Sequence, residues 1–201
     1  MWIFGYGSLL WYTDFPYTEV LPGIVHGYSR RFWQFSPDHR GTPENPGNTV
    51  TLVRDPDGSC WGLAYRVPDE HVEDTVQYLN VREQAGYECK QVEFQPDDGR
   101  NSFLINVYIA KLESNPYYKG PLENDSIVTT ILHSRGKSGS NLEYALRLAD
   151  CVHRLAPHIN DKHLFDIEKA LLEKCRLLNI QDDVFSLLNH KNGSDNQQLL
   201  Q

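Results

Sequence analysis

Ser102-Phe103-Leu104-Ile105-Asn106-Val107-Tyr108-Ile109-Ala110 repeats with a period of two. Phe103, Ile105, Val107 and Ile109 alternate with Leu104, Asn106 and Tyr108, the pattern of a strand that buries one face. Past Pro116 the period becomes helical. A helix is expected over Leu122–His133. Asn141–Leu155 carries Leu142, Ala145, Leu146, Ala149 and Val152 on one stripe. Asp161–Leu178 carries Leu164, Ile167, Leu171, Cys175 and Leu178 in the same way. Upstream the chain is rich in strand signals: Trp2–Tyr6, Val25–Phe35, Thr49–Arg54, Ser59–Val67 and Tyr87–Phe94. Asp55-Pro56-Asp57-Gly58 is expected to turn the chain between two of them, because Pro presets φ and Gly accepts positive φ. Val72, Val76 and Leu79 place a helix over 69–84. Strands first and helices later predict an α+β fold. The expected shape is a small, mostly antiparallel barrel or partly closed sheet, with flanking helices and a helical C-terminal third.

The 201 residues make one domain with an appendage the prior, at roughly 150 residues per domain. The expected division is a globular domain over 1–178 and a polar, partly disordered tail over 179–201. Hydrophobic residues at 40% and charged residues at 23% exclude disorder for most of the chain. A net charge of −8 fits a phosphate backbone poorly, and Arg30-Arg31 is too short a basic feature to be a nucleic-acid footprint. No nucleic-acid partner is expected. No apolar run approaches 18 residues and the N-terminus lacks signal-peptide features, so no membrane partner is expected and the setting is read as cytoplasmic. The four cysteines, without CxxC spacing, are expected to be free thiols.

Phe4-Gly5-Tyr6-Gly7-Ser8-Leu9-Leu10 holds the most chemical information. It begins like a dinucleotide fingerprint, but Leu10 stands where the third glycine belongs and no βαβ unit follows. It reads either as a strand ending in a tight turn or as a nest of backbone N–H groups for a carboxylate or a developing oxyanion. Val81-Arg82-Glu83-Gln84-Ala85-Gly86-Tyr87 sits where a helix stops and a strand begins. Locally it reads as a C-cap with a solvated charged pair; alternatively Glu83 projects into a pocket as a general base. The Pro- and Gly-rich stretch 36–47 is a long loop. There Arg40 either pins the loop, the favoured reading, or meets a ligand carboxylate. The histidine spacing suits no zinc site, and no Gly-x-Ser-x-Gly elbow exists.

Phe-Gly-Tyr-Gly-Ser-Leu-Leu-Trp at 4–11, Tyr-Ser-Arg-Arg-Phe-Trp-Gln at 28–34, Asp-His-Arg-Gly-x-Pro at 38–43 and Arg-Glu-x-x-Gly-Tyr at 82–87 occur in order. In these motifs the chain resembles the ChaC family of glutathione-specific γ-glutamylcyclotransferases, from Met1 to about Leu178, and looks like its shorter type of member. The resemblance implies a γ-glutamylcyclotransferase-like barrel. It implies a lyase that cyclises the γ-glutamyl group of glutathione to 5-oxoproline and releases cysteinylglycine, with no cofactor and no metal. It implies that Ile3, Phe4, Gly5, Tyr6, Gly7, Ser8 and Leu9 hold the γ-glutamyl moiety, largely through the amides of Gly7, Ser8 and Leu9, that Glu83 is the general acid/base, and that Tyr144 lies near the substrate. Ser140, Leu142 and Asn48 depart from the Arg, Thr and Arg of the corresponding family elements. The competing expectations are a cyclotransferase for other γ-glutamyl amines or amino acids, and a non-catalytic binding module. The sequence leaves the oligomeric state open.

Overall fold

The computed structural model describes residues 1–83 and 86–191, the last three by backbone alone. Five strands form a closed barrel in the order β1-β3-β2-β4-β5: β1 (Trp2–Gly5), β2 (Glu19–Ser36), β3 (Gly47–Arg66), β4 (Tyr87–Pro96) and β5 (Phe103–Ala110). All pairings are antiparallel except the parallel β1–β5 contact, which closes the barrel where Ile3 faces Asn106. The period of two in β5 has its expected cause. Ile105 and Val107 are fully buried in the same core as Phe94 and Val25, while Leu104 is 63% exposed.

β3 departs from the sequence expectation. Asp55-Pro56-Asp57-Gly58 does not reverse the chain. Both halves of β3 pair with the same strand, the register passing from His26↔Ser59 to Tyr28↔Arg54, so four residues bulge opposite Gly27. Pro56 has no N–H for the ladder, and a bulge lets the pairing skip it. Gly27 takes φ +76 to match. The result is one 20-residue strand where two were expected.

The helices are α1 (Val72–Arg82), α2 (Asn124–His133), α3 (Asn141–Leu155), α4 (Lys162–Leu177) and α5 (Asp183–Lys191), with a small hairpin of β6 (Arg135–Gly136) and β7 (Gly139–Ser140) before α3. The stripe of α3 is buried at every predicted position, and α3 packs against α2, α4, α5 and β3. Its N-terminus is fixed by Ser140, whose hydroxyl accepts from the Glu143 N–H at 3.0 Å. Asp161 caps α4 by accepting from the Leu164 N–H. Val184 of α5 is fully buried, so the polar stretch expected from 179 onward contains a packed helix; 192–201 lie outside the described residues, as do 84 and 85 of the helix expected over 69–84. The four cysteines are free thiols.

Candidate functional site

A pocket of about 600 Å³ opens at one end of the barrel. Its wall draws on the β1–β2 connection (Tyr6, Gly7, Ser8, Leu9, Trp11), the loop after β2 (Asp38, His39, Arg40), Val50 of β3, the end of α1 (Arg82, Glu83), Tyr87 of β4, Lys137 and Ser138 of the hairpin, and Glu143, Tyr144 and Arg147 of α3. Segments far apart in sequence thus converge on one cavity.

Gly7-Ser8-Leu9 leaves β1 and enters a single 3₁₀ turn over Ser8–Leu10, with Leu10 N–H bonded to the Gly7 carbonyl. The first N–H groups of such a turn have no partner within it. The Ser8 hydroxyl accepts from Arg82 Nη2 at 2.7 Å. The start of the turn is therefore tied to the helix that Glu83 caps.

Glu83 caps α1, its N–H bonded to the Leu79 carbonyl. Its carboxylate lies 3.8 Å from Arg82 Nε, and the two side chains are 22% and 13% exposed. The pair is recessed, not solvated. Burial pushes the Glu83 pKa up to about 7, Arg82 opposes the rise and Asp38 adds to it. Gly86 is held from behind. Asn115 Nδ2 donates to the Gly86 carbonyl at 3.0 Å and to Gln34 Oε1 at 3.1 Å, and its Oδ1 accepts from the Tyr117 N–H. Gly86 has φ +91, and a Cβ there would lie 2.2 Å from Asn115 Oδ1. Only glycine fits. Sequence reading saw a helix stop at Gly86 but not Asn115, which no local pattern connects to it.

Three phenols line the deep end. Tyr6 donates to the Tyr108 carbonyl at 2.6 Å, Tyr87 donates to the Val50 carbonyl at 2.8 Å, and the Tyr144 oxygen accepts from the Val50 N–H at 3.3 Å. Burial raises the pKa of all three, Tyr144 to about 12, so they stay neutral hydrogen-bonding groups. Tyr6 and Tyr87 spend their protons on backbone carbonyls, whereas Tyr144 accepts in its bond to Val50 and keeps its proton for another acceptor.

Of the expected site residues, Phe4, Tyr6, Gly7, Ser8, Leu9, Glu83, Tyr144 and Arg40 line the pocket, while Ile3 and Gly5 sit behind it in the barrel wall. Arg40 pins its loop: Nη1 donates to the Ser140 carbonyl at 3.1 Å and to Glu143 Oε2 at 3.2 Å. Asn48 and Asn141 bond reciprocally, backbone N–H to Oδ1 and Nδ2 to backbone carbonyl. Neither Asn48, Ser140 nor Leu142 lines the pocket.

The model of the family described as ChaC-like protein matches residues 1–174. The glutathione-specific γ-glutamylcyclotransferase 1 of Homo sapiens is 47% identical over 173 residues, 85% of this chain and 78% of that protein. The glutathione-specific γ-glutamylcyclotransferase of Schizosaccharomyces pombe is 34% identical over 184 residues, 84% of this chain and 90% of that one. A crystal structure of a γ-glutamyl cyclotransferase specific to glutathione from yeast superposes with a TM-score of 0.79 at 32% identity, covering 86% of this chain and 96% of that chain.

Proposed function

This chain belongs to the ChaC family, and from that premise we propose that it cleaves glutathione by cyclising the γ-glutamyl group, releasing 5-oxoproline and cysteinylglycine. The observation that carries the reading is a recessed carboxylate, Glu83, opening into the same cavity as the Gly7-Ser8-Leu9 turn. The substrate brings its own nucleophile, the glutamate α-amine. Attack on the γ-carbonyl forms the lactam C–N bond, and the C–N bond to cysteine breaks. Well-oriented intramolecular attack reaches effective molarities of about 10⁵ M or more, so orientation is the main demand on the protein.

Protons must still move. The α-ammonium gives up two protons on its way to the lactam N–H, one before attack and one after, and the departing nitrogen takes up two to leave as the ammonium of cysteinylglycine. With a pKa of about 7, Glu83 holds both protonation states in similar amounts near neutrality, which suits one carboxyl group acting first as base and then as acid. The amides of Gly7, Ser8 and Leu9 hold the γ-glutamyl moiety and face the oxygen that gains charge. The free proton of Tyr144 is a further donor. No redox step arises, and bonds and protons balance within substrate and Glu83. Four free cysteines suit a reducing compartment, on this reading the cytoplasm.

The test is mass spectrometry of the products from glutathione, with Glu83→Gln alongside. The wild type is expected to yield 5-oxoproline and cysteinylglycine in equal amounts, with an acid limb in kcat/KM near pH 7. The variant is expected to retain the fold and lose activity by about 10²–10⁴-fold. Near-normal turnover by Glu83→Gln overturns the assignment of the base. No product from either protein moves the substrate to another γ-glutamyl compound, with γ-Glu-Ala the next to try, or to binding without catalysis. A retained, recessed base argues against a pure binding module.

A further inference from the structure

We propose that Lys137, at the tip of the β6–β7 hairpin, receives the C-terminal carboxylate of the tripeptide substrate and so helps select glutathione over shorter or blocked γ-glutamyl compounds. This rests on the reading of function above.

The pocket's charge is unlike that of the chain. Four lining cations, Arg40, Arg82, Arg147 and Lys137, face three lining carboxylates, Asp38, Glu83 and Glu143, in a chain of net charge −8. The three arginines are engaged. Arg40 and Arg147 share Glu143 at 3.2 and 2.8 Å, and Arg82 bonds Ser8 and Tyr78 and faces Glu83. Lys137 alone among these cations has no hydrogen-bond or ion-pair partner for its ammonium among the described residues. Burial lowers the His39 pKa, Asp38 opposes the shift, and Lys137, Arg82 and Arg40 add to it, so the imidazole favours its neutral form beside the lysine.

The lysine starts from a fixed point. Its own N–H donates to the Asp38 carbonyl at 3.3 Å, and the Ser138 N–H donates to the His39 carbonyl at 3.0 Å. Ser138 Oγ meets His39 Nδ1 at 2.9 Å. The hairpin lies so close to the loop that a Cβ on Gly136 would sit 2.4 Å from the His39 oxygen. The backbone is thus fastened at the rim while the exposed head is free.

Glutathione carries one ammonium and two carboxylates. The α-ammonium and α-carboxylate belong to the γ-glutamyl end, held deep beside Glu83. Its glycine carboxylate is two residues further along, roughly 7 Å of extended chain, and so points toward the mouth. Asn48 and Ser140 stand where the family elements carry arginine; the Asn48 side chain turns inward to donate to the Phe32 carbonyl, and the Ser140 hydroxyl caps α3. A cation for the tail comes instead from the hairpin.

The experiment compares steady-state kinetics on glutathione and on its glycine ethyl ester for wild type, Lys137→Ala and Lys137→Arg. An exposed ion pair supports about a two- to fivefold rise in KM for glutathione in Lys137→Ala. The expected result is that rise with kcat unchanged, no change on the ester, and recovery in Lys137→Arg. An equal effect on both substrates, or none, overturns the assignment while leaving the reaction intact. A wild type that turns over neither substrate overturns the reaction reading and this assignment with it.

Discussion

At the seam between β2 and α4, Arg30 is 2% exposed, its Nε 3.6 Å from the Asp161 carboxylate and its Nη2 donating to the Trp61 carbonyl and to Cys60 Sγ. Beside it, His163 Nε2 accepts from the Phe32 N–H at 3.1 Å, and burial lowers the His163 pKa to about 4. At the pocket, Glu83 is recessed next to Arg82 and its pKa is raised to about 7. Both regions take ionisable groups out of water. The seam settles each one in a single state, a charged arginine opposite a carboxylate and a neutral imidazole used as an acceptor. The pocket leaves its carboxylate poised between two states. A polar cluster that serves structure alone settles the charge of its groups, and a carboxyl left undecided near neutral pH is what marks Glu83 as the proposed acid/base.

Arg30 carries the largest expected effect. Arg30→Ala is expected to lower unfolding free energy by about 3–5 kcal/mol, because it opens a cavity and strips the partner from Asp161. Chemical denaturation would measure it. Turnover per folded molecule should stay near normal; a specific loss of kcat would make the seam part of the active machinery.

Glu83→Gln should act the other way on stability. The folded pKa of Glu83 lies above its ordinary value of 4.5, so the fold favours the protonated acid. Its contribution is most favourable below pH 4.5 and falls as pH rises to 7. Above pH 7 the variant is therefore expected to be more stable than wild type by about 1–3 kcal/mol, at 1.36 kcal/mol per pKa unit, with the gain vanishing below pH 4.5. Thermal unfolding at pH 8 and pH 4.5 would show it. Equal stability at both would mean that Glu83 is as hydrated as any surface glutamate.

His163 provides the smallest effect. Its folded pKa is depressed, so its contribution is complete above pH 6.5 and is lost as pH falls toward 4. Wild type is expected to lose on the order of 1 kcal/mol relative to His163→Gln across that interval, allowing for partial solvent screening. A parallel pair of stability curves would show that the imidazole is not held neutral.

Fold class was legible because periodicity reports burial directly. β5 alternates because the barrel wall has an inside and an outside, and α3 is striped because one face meets the other helices. The bulge at 55–58 was not legible. Proline and glycine announce that the ladder is interrupted, but a chain reversal and a bulge differ only in which strand the next residues join. The same limit hid α5, whose Val184 and Phe185 find their burial only where the helix packs against α3. In the pocket, the Phe4–Leu9 turn and Glu83 stood out by residue type and position at element ends. Asn115, behind the pocket, did not, since it matters through Gln34 and Gly86, dozens of residues away.

The sequence by itself determined most of the elements, though not the unbroken β3 or α5, and it carried the glycine-rich turn and the glutamate on which the chemistry is proposed to rest. These are local properties, set by side-chain volume, hydrophobicity and backbone freedom. Tertiary structure alone decided that the two motifs share one cavity, that Arg40 serves the loop, and that Glu83 sits near a pKa of 7. A carboxylate's charge state depends on the water removed from it and the ions around it. Both are fixed only when distant segments close over it.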